Sequence, residues 1–169
     1  VTMKAEREPN GSLALDALEW AAEPADGHDP AAVHGVPTVV DFRAAAETVR
    51  PDVRQRLDRV VMADDAEAGL DALLDCGALV ALLPPVEKMV GFGDGEWRHK
   101  DVWKHTKQVV RQAVPRLEVR WAALLHDIGK VKTRSIGPNG EVHFHGHAEV
   151  GARMFDRMER RVPLFEQAH

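Results

Sequence analysis

Apolar residues recur every three or four positions along much of this chain, which is the spacing of one face of an α-helix. Prolines and glycines interrupt the pattern where helices would start and end. The alternation of apolar and polar residues that is typical of a strand occurs only over residues 141–145. The pattern therefore predicts an all-α fold. The predicted helices cover residues 42–49, 52–64, a segment from Asp64 or Asp65 to Cys76, 78–83, 99–114, 116–127 and about 147–161.

The first 38 residues differ from the rest in composition. They are rich in alanine, proline, glycine and acidic residues, and only residues 13–22 form a short amphipathic run. Such a composition predicts a loosely packed, partly disordered acidic arm at the periphery of the fold, with a short helix in its amphipathic run. We therefore expect three parts: an arm over residues 1–38, a small helical region over residues 39–96 and the main helical core over residues 97–169.

Length and composition narrow the class of protein. A chain of 169 residues, 44% of them apolar, suffices for one ordinary domain with a packed core. Cys76 is the only cysteine, which excludes an intrachain disulfide and suits a reducing compartment. No apolar run approaches the ~20 residues of a membrane span, and no signal-peptide pattern opens the sequence. These features predict a cytoplasmic protein with no membrane partner, and they leave the oligomeric state open.

Charge is distributed unevenly along the chain. Residues 1–96 contain 8 Lys/Arg and 19 Asp/Glu, a net charge of −11, whereas residues 97–161 contain 14 and 7, a net charge of +7. A basic segment suits a phosphate or another polyanion as ligand. Lysines and arginines on solvated helix faces would produce the same count, so charge alone does not choose between the two interpretations.

The strongest chemical signal is the pair His126–Asp127, which follows the apolar run WAALL. An ionisable pair at the end of a buried run is costly unless a partner neutralises it, and a bound metal ion is the usual partner. His105 lies between Val102 and Val109 at helical spacing, so it is predicted on the inner face of its helix, towards the core. Taken alone it would be a hydrogen-bonded core histidine, but with the pair it makes a set of two imidazoles and a carboxylate. Such a set suits Mn, Fe, Co, Ni, Zn or Mg.

Further histidines and a lysine follow the pair. His147 begins the last predicted helix, where it would bind a second metal ion or a substrate phosphate with the help of the exposed N–H groups there. His143 and His145 alternate with Phe144 and are interpreted as loop residues, so His147 is preferred to either. Lys130 could reach a phosphate, or it could simply interact with a helix dipole.

Three segments in this order, DVWKHT, LLHDIGK and FHGHAEVGA, resemble the HD-domain metal-dependent phosphohydrolases. Within that family the resemblance is to the HD region of the bacterial CCA-adding tRNA nucleotidyltransferases and poly(A)-polymerase-like proteins. It extends upstream over a helical neck and covers about residues 50–161. It implies an HD helical bundle over residues 97–169, preceded by a neck-like region over residues 39–96.

The resemblance also implies roles for individual residues. By position, His105, His126 and Asp127 would bind one divalent metal ion, with His147 beside it as a ligand of the same or a second ion. Asp127, Lys130 and His147 would take part in catalysis. The implied reaction is hydrolysis of a phosphomonoester or a 2′,3′-cyclic phosphodiester on a nucleotide or an RNA end, and tRNA or another RNA is the implied partner.

Two departures from the family are expected to matter. Residues 1–40 cannot supply the nucleotidyltransferase head, so nucleotide addition is not expected of this chain alone. The family also closes the metal shell with a late aspartate, whereas the only aspartate after Asp127 is Asp156, nine residues beyond His147 and too early for that role. The chain would then be truncated, or residues would be missing within it, or its metal shell would be incomplete.

Two functions of different classes therefore stay open. One is the metal-dependent phosphohydrolase. The other is a non-catalytic RNA-binding scaffold that keeps the helices and the basic face. A purely structural helical domain would leave the buried pair His126–Asp127 without a purpose. Resemblance at the level of the fold does not identify the substrate.

Overall fold

The computed structural model describes residues 7–23, 35–93 and 101–165. These residues form helices joined by short loops and one two-stranded antiparallel ribbon, so the prediction of an all-α fold is confirmed. The elements are α1 (Gly11–Ala22), α2 (Val39–Thr48), α3 (Arg50–Met62), α4 (Ala66–Asp75), α5 (Ala78–Leu82), α6 (Pro84–Glu87), α7 (Val102–Gln112), α8 (Leu117–Leu125), α9 (Lys130–Thr133), β1 (Ser135–Ile136), β2 (Val142–His143) and α10 (His147–Arg161).

Several helices begin where the sequence supplies a suitable cap. Pro51 stands in the first turn of α3, where its missing N–H costs nothing. Asp65 accepts a hydrogen bond from the amide of Ala68 and so caps α4. Asp101 does the same for α7 through the amide of Trp103. The last cap is important for function because it fixes the start of the helix that carries His105.

Helix α1 corrects the expectation for the N-terminal region. It packs against α2, α3 and α4 rather than lying at the periphery, because its small side chains let the neighbouring helices come close. The predicted loose packing is therefore wrong for Gly11–Ala22, whereas the short helix is present there. The parts of that prediction that concern residues 1–6 and 24–34 lie outside the described residues. The α1 residues that are at most 2% exposed are Ala14, Ala17, Leu18 and Ala21.

One continuous apolar core runs from α1 to the end of α10. The junction between α3 and α8 is reinforced by polar contacts: the indole N–H of Trp121 donates to Asp58 Oδ1 at 2.7 Å, and the buried guanidinium of Arg120 donates to the carbonyl of Val61 at 3.1 Å. Because a buried donor without a partner is costly, these bonds fix how α8 lies on α3. They thereby fix the position of His126, at the C-terminal end of α8.

No helix in the described ranges is both long enough and apolar enough to span a membrane.

Candidate metal centre

The first predicted ligand lies one turn into α7. Trp103, Thr106 and Val110 are at most 4% exposed and hold the inner face of this helix in the core. His105 lies at the edge of that face, with its ring directed towards the end of α8. The helical pattern predicted the inner face of α7 for this residue, and the structure places it at the margin of that face, next to the end of α8.

The other two predicted ligands follow the C-terminal end of α8. His126 is the residue directly after the helix, and Asp127 and Ile128 are then 3% and 1% exposed. Ile128 anchors the turn in the core, so the carboxylate of Asp127 is held away from bulk water. His126 keeps 40% of its side chain exposed.

The structure brings these three residues together. One ligand atom from each of His105, His126 and Asp127 can be chosen so that the three lie within 4.8 Å of one another. His126 Nε2 is 3.1 Å from Asp127 Oδ2, and the rings of His105 and His126 are 6.4 Å apart between centroids. Two imidazoles and one carboxylate in this arrangement can share one divalent metal ion.

The tautomers of two histidines suit metal binding. His126 Nδ1 lies 2.6 Å from the carbonyl oxygen of Ala123, and His147 Nδ1 lies 3.0 Å from that of Phe144. A carbonyl oxygen can only accept, so each Nδ1 carries the hydrogen and each neutral ring has its lone pair on Nε2. Both Nε2 atoms face Asp127. Metal-binding histidines are commonly held in this way by a hydrogen bond from the second ring nitrogen.

Asp127 is the residue around which the other predicted site residues are arranged. Its Oδ2 is 3.2 Å from Lys130 Nζ as well as 3.1 Å from His126 Nε2. Its Oδ1 faces His147 Nε2 at 3.6 Å. His147 therefore lies next to the three-residue group but on the other carboxylate oxygen. Lys130 is also placed over the ring of Phe144, 5.1 Å from its centroid.

The electrostatics of the site keep this carboxylate ionised. Burial raises the pKa of Asp127, but the hydrogen bond from His126 and the positive charges of His126 and Lys130 outweigh it and lower the pKa to about 2. The hydrogen bond to Asp127 in turn raises the pKa of the His126 imidazole, against the opposing effect of burial. A metal ion that binds His126 Nε2 would have to displace the proton that the protonated imidazole carries there. The affinity of the site for the metal ion should therefore rise with pH.

Two glycines bring the turn after Asp127 close to α10. A β-carbon at Gly129 would overlap the carbonyl oxygen of His147 and lie 2.7 Å from the amide nitrogen of Gly151. Gly146 has φ +72°, a conformation that favours glycine, and it starts α10 directly before His147. This contact was not predicted. The signal was present in the glycines of LLHDIGK and FHGHAEVGA, but nothing in the sequence shows that they meet.

The remaining histidines of the segment do not join the site. His143 Nε2 is 3.6 Å from Glu141 Oε1, and its ring stacks on that of His145 with 4.8 Å between centroids. Neither residue is part of the three-residue group. Asp156 is exposed on α10 and is not part of it either, as the sequence predicts for an aspartate so soon after His147.

Comparisons with known proteins agree with these motifs. Residues 102–168 match the HD domain family. The chain is also similar to tRNA nucleotidyltransferases, which confirms the predicted resemblance. It is 35% identical to the A-adding tRNA nucleotidyltransferase of Deinococcus radiodurans over 118 residues, which is 66% of this chain and 27% of the relative.

Two other relatives give the same result. Identity to the CC-adding tRNA nucleotidyltransferase of Thermus thermophilus is 38% over 111 residues, which is 62% of this chain and 26% of the relative. Identity to the multifunctional CCA protein of Ectopseudomonas mendocina is 35% over 113 residues, which is 63% and 27%. The chain thus spans about a quarter of the length of the curated relatives it matches. No solved structure matches it.

Proposed function

We propose that this chain is a metal-dependent phosphohydrolase whose metal ion is held by His105, His126 and Asp127. The observation that carries the proposal is the convergence of these three side chains from α7 and from the end of α8. Hydrogen bonds to backbone carbonyls that orient His126 and His147 support it. The HD domain match supports it as well, because HD domains form a superfamily of metal-dependent hydrolases.

The donor set fits one divalent ion and leaves coordination positions for water and substrate. Bound there, such an ion would supply Lewis acidity towards a water molecule and a phosphoryl oxygen. One or two ions of Mn, Fe, Co, Ni, Mg or Zn are compatible with these ligands.

The residues around the ligands have separate roles in the proposal. Lys130 holds Asp127 Oδ2 and keeps the carboxylate ionised, and its charge also favours a phosphate nearby. His147 stands at the first position of α10, where free backbone N–H groups favour an anion. Its Nε2 would bind the substrate phosphate or a second metal ion, or pass a proton to the leaving group.

The substrate class follows from the surroundings and the relatives. A site at a helix N-terminus in a basic half of the chain suits a phosphate ester. The matched relatives are named for their action on tRNA. We therefore propose a phosphomonoester or a 2′,3′-cyclic phosphodiester on a nucleotide or an RNA end as substrate.

The test starts with the metal content of the purified protein. Near-stoichiometric transition metal is expected, together with hydrolysis of at least one of three substrates: a nucleoside monophosphate, a 2′,3′-cyclic nucleotide and an aryl phosphate, each assayed with Mn, Co, Ni and Mg. His126→Ala should lose both metal and activity while keeping its helix content. His143→Ala is the matched control, since His143 lies outside the three-residue group, and it should keep both. Equal metal and activity in the two variants would overturn the assignment.

A second function is favoured by a specific observation. The names of the matched relatives describe the addition of nucleotides to tRNA and not hydrolysis. A non-catalytic RNA-binding scaffold would share the helices of such relatives without turnover. Absence of bound metal even after reconstitution, together with binding of RNA, is the result that this alternative predicts.

A further inference from the structure

A cavity of about 320 Å³ lies where α2, α5, α6, α9 and α10 meet. Its α10 residues run from Met154, in the middle of that helix, to Arg161, whereas the candidate metal centre adjoins His147 at its first residue. Met154, the lining residue of α10 nearest to His147, lies seven residues after it, which is about 10 Å along an α-helix. The cavity is thus a second site, and binding of a ligand there would not depend on the proposed phosphohydrolase activity.

The floor of the cavity is apolar. Leu82 is 0% exposed, and Met154 and Met158 are each 5% exposed. The two methionines are four residues apart and therefore lie on the same face of α10. Unbranched methionine side chains adapt readily to the shape of a flat apolar group.

The rim of the cavity is strongly basic. Among the described residues that line it, Glu47 is the one carboxylate. All of the lining cations are exposed. They lie on α2, α9 and α10 and at the residue that directly follows α6. The lining cations are Arg43, Lys88, Lys132, Arg157 and Arg161.

These cations lack the partners that other basic residues have. Arg54, Arg59 and Lys107, for example, are each paired with a carboxylate. In the described part of the chain, none of the five rim cations forms an ion pair. Like charges gathered around one cavity repel one another, and a bound anion removes that repulsion. Arginine forks in particular match the geometry of phosphate oxygens.

From this combination we infer that the cavity binds one nucleotide unit, with its base on the apolar floor and its phosphates at the basic rim. A volume of about 320 Å³ lies within the range of roughly 300–1,000 Å³ that is typical of ligand sites. An inorganic anion would leave the floor unused, and an apolar ligand would leave the cations unpaired. Glu47 gives the site one acceptor, which suits an amino group of a base or a ribose hydroxyl.

The test measures binding of ATP in the presence of EDTA, so that the candidate metal centre does not contribute through an ion. In the full chain with labelled methionine methyl groups, the signals of Met154 and Met158 should shift on titration. Met62, at the C-terminal end of α3 and outside the lining, should not. No shift at Met154 and Met158 would overturn the inference.

Charge-matched variants test the rim. Removing two rim charges with Arg157→Gln and Arg161→Gln should weaken ATP binding by roughly tenfold, since charge-assisted hydrogen bonds to phosphate are lost. Arg153→Gln with Arg160→Gln removes the same charge from the same helix at exposed positions outside the cavity. This control pair should change the affinity by less than about twofold. Equal losses in the two pairs would mean non-specific attraction and would overturn the inference.

Fragments of the ligand test the floor and the source of the nucleotide. Tripolyphosphate should bind more weakly than ATP, and equal affinity would show that the floor contributes nothing, against the inference. A 5′-phosphorylated RNA trinucleotide that shifts the same methyl groups at lower concentration than ATP would support the site and identify an RNA-borne nucleotide as its ligand. Preference for ATP would support the site and identify a free nucleotide.

Discussion

Two aspartates are buried in the described residues, and their surroundings differ in kind. Asp41 is 1% exposed and Asp127 is 3% exposed. The carboxylate of Asp41 accepts hydrogen bonds from the amides of Asn10 and Thr38 at 2.6 and 2.7 Å, and Arg7 lies 3.1 Å away. Backbone N–H groups are permanent donors, so this shell is complete without any ligand.

The shell of Asp127 is made by titratable side chains instead. Two imidazole Nε2 atoms, those of His126 and His147, point at it, and the ammonium group of Lys130 lies beside it. A neutral imidazole with its hydrogen on Nδ1 presents a lone pair to the carboxylate, which is repulsive. For His126, whose pKa the contact with Asp127 raises, a proton on Nε2 or a bound metal ion relieves this repulsion. Both aspartates are buried, and the kind of neighbour is what distinguishes them.

Replacement of the two aspartates should separate their roles, and this is the largest expected effect. Asp127→Asn removes a charged ligand and should lower the affinity for a divalent metal by at least about 100-fold, because coordination requires the deprotonated ligand. Asp41→Asn should leave that affinity unchanged. Isothermal titration with Co²⁺ measures both. Similar metal affinity of the Asp127 variant and the unmodified chain would contradict the contrast.

The second effect concerns how α10 is held next to Asp127. Gly129→Ala forces a β-carbon against backbone atoms of His147 and Gly151 that cannot rotate away. We expect a loss of about 2–4 kcal/mol in the free energy of unfolding, together with weaker metal binding. Urea unfolding measures the change in the free energy of unfolding.

Gly11→Ala is the matched control for that substitution. A β-carbon at Gly11 would meet only Ala45, at 3.9 Å, so stability should stay the same or rise by less than about 1 kcal/mol. If the Gly129 variant were as stable as this control, the close approach of the turn to α10 would not be the reason why residue 129 is a glycine.

The third and smallest effect is the structural role of Asp41. Asp41→Asn replaces an acceptor-only group with an amide and should cost about 1–3 kcal/mol, since the amides of Asn10 and Thr38 lose charge-assisted bonds. Burial raises the pKa of Asp41, but the hydrogen bonds from Asn10 and Thr38 and the charge of Arg7 outweigh it, and the net shift is downward.

The direction of that pKa shift sets the pH dependence of stability. A lowered pKa in the folded state means that the contribution of Asp41 is present above the unfolded value of about 3.9 and is lost as pH falls through the folded value. The midpoint temperature of thermal unfolding should therefore fall more steeply below pH 4 for the unmodified chain than for Asp41→Asn. Parallel declines would show that Asp41 is not responsible.

The proximity of the three candidate ligands was largely predictable because they are adjacent or regularly spaced in sequence. His126 and Asp127 are neighbours at the end of an apolar run, and helical periodicity predicted the inner face of α7 for His105. The N-terminal region was less predictable. Proline- and glycine-rich flanks dominate its composition, whereas the burial of Ala17 and Leu18 depends on how closely α2 and α3 approach, and alanine is compatible with either outcome.

By itself, the sequence determined the all-α class, the positions of most helix ends and the chemistry of the three candidate ligands. These depend on local periodicity, on caps such as Asp65 and on the identity of a few side chains. Only the tertiary structure decided that His147 faces Asp127 through the contact of Gly129 with α10, and that cations from Arg43 to Arg161 surround one cavity. Such contacts join residues far apart in the chain, and local pattern contains no information about which distant backbone comes within van der Waals distance.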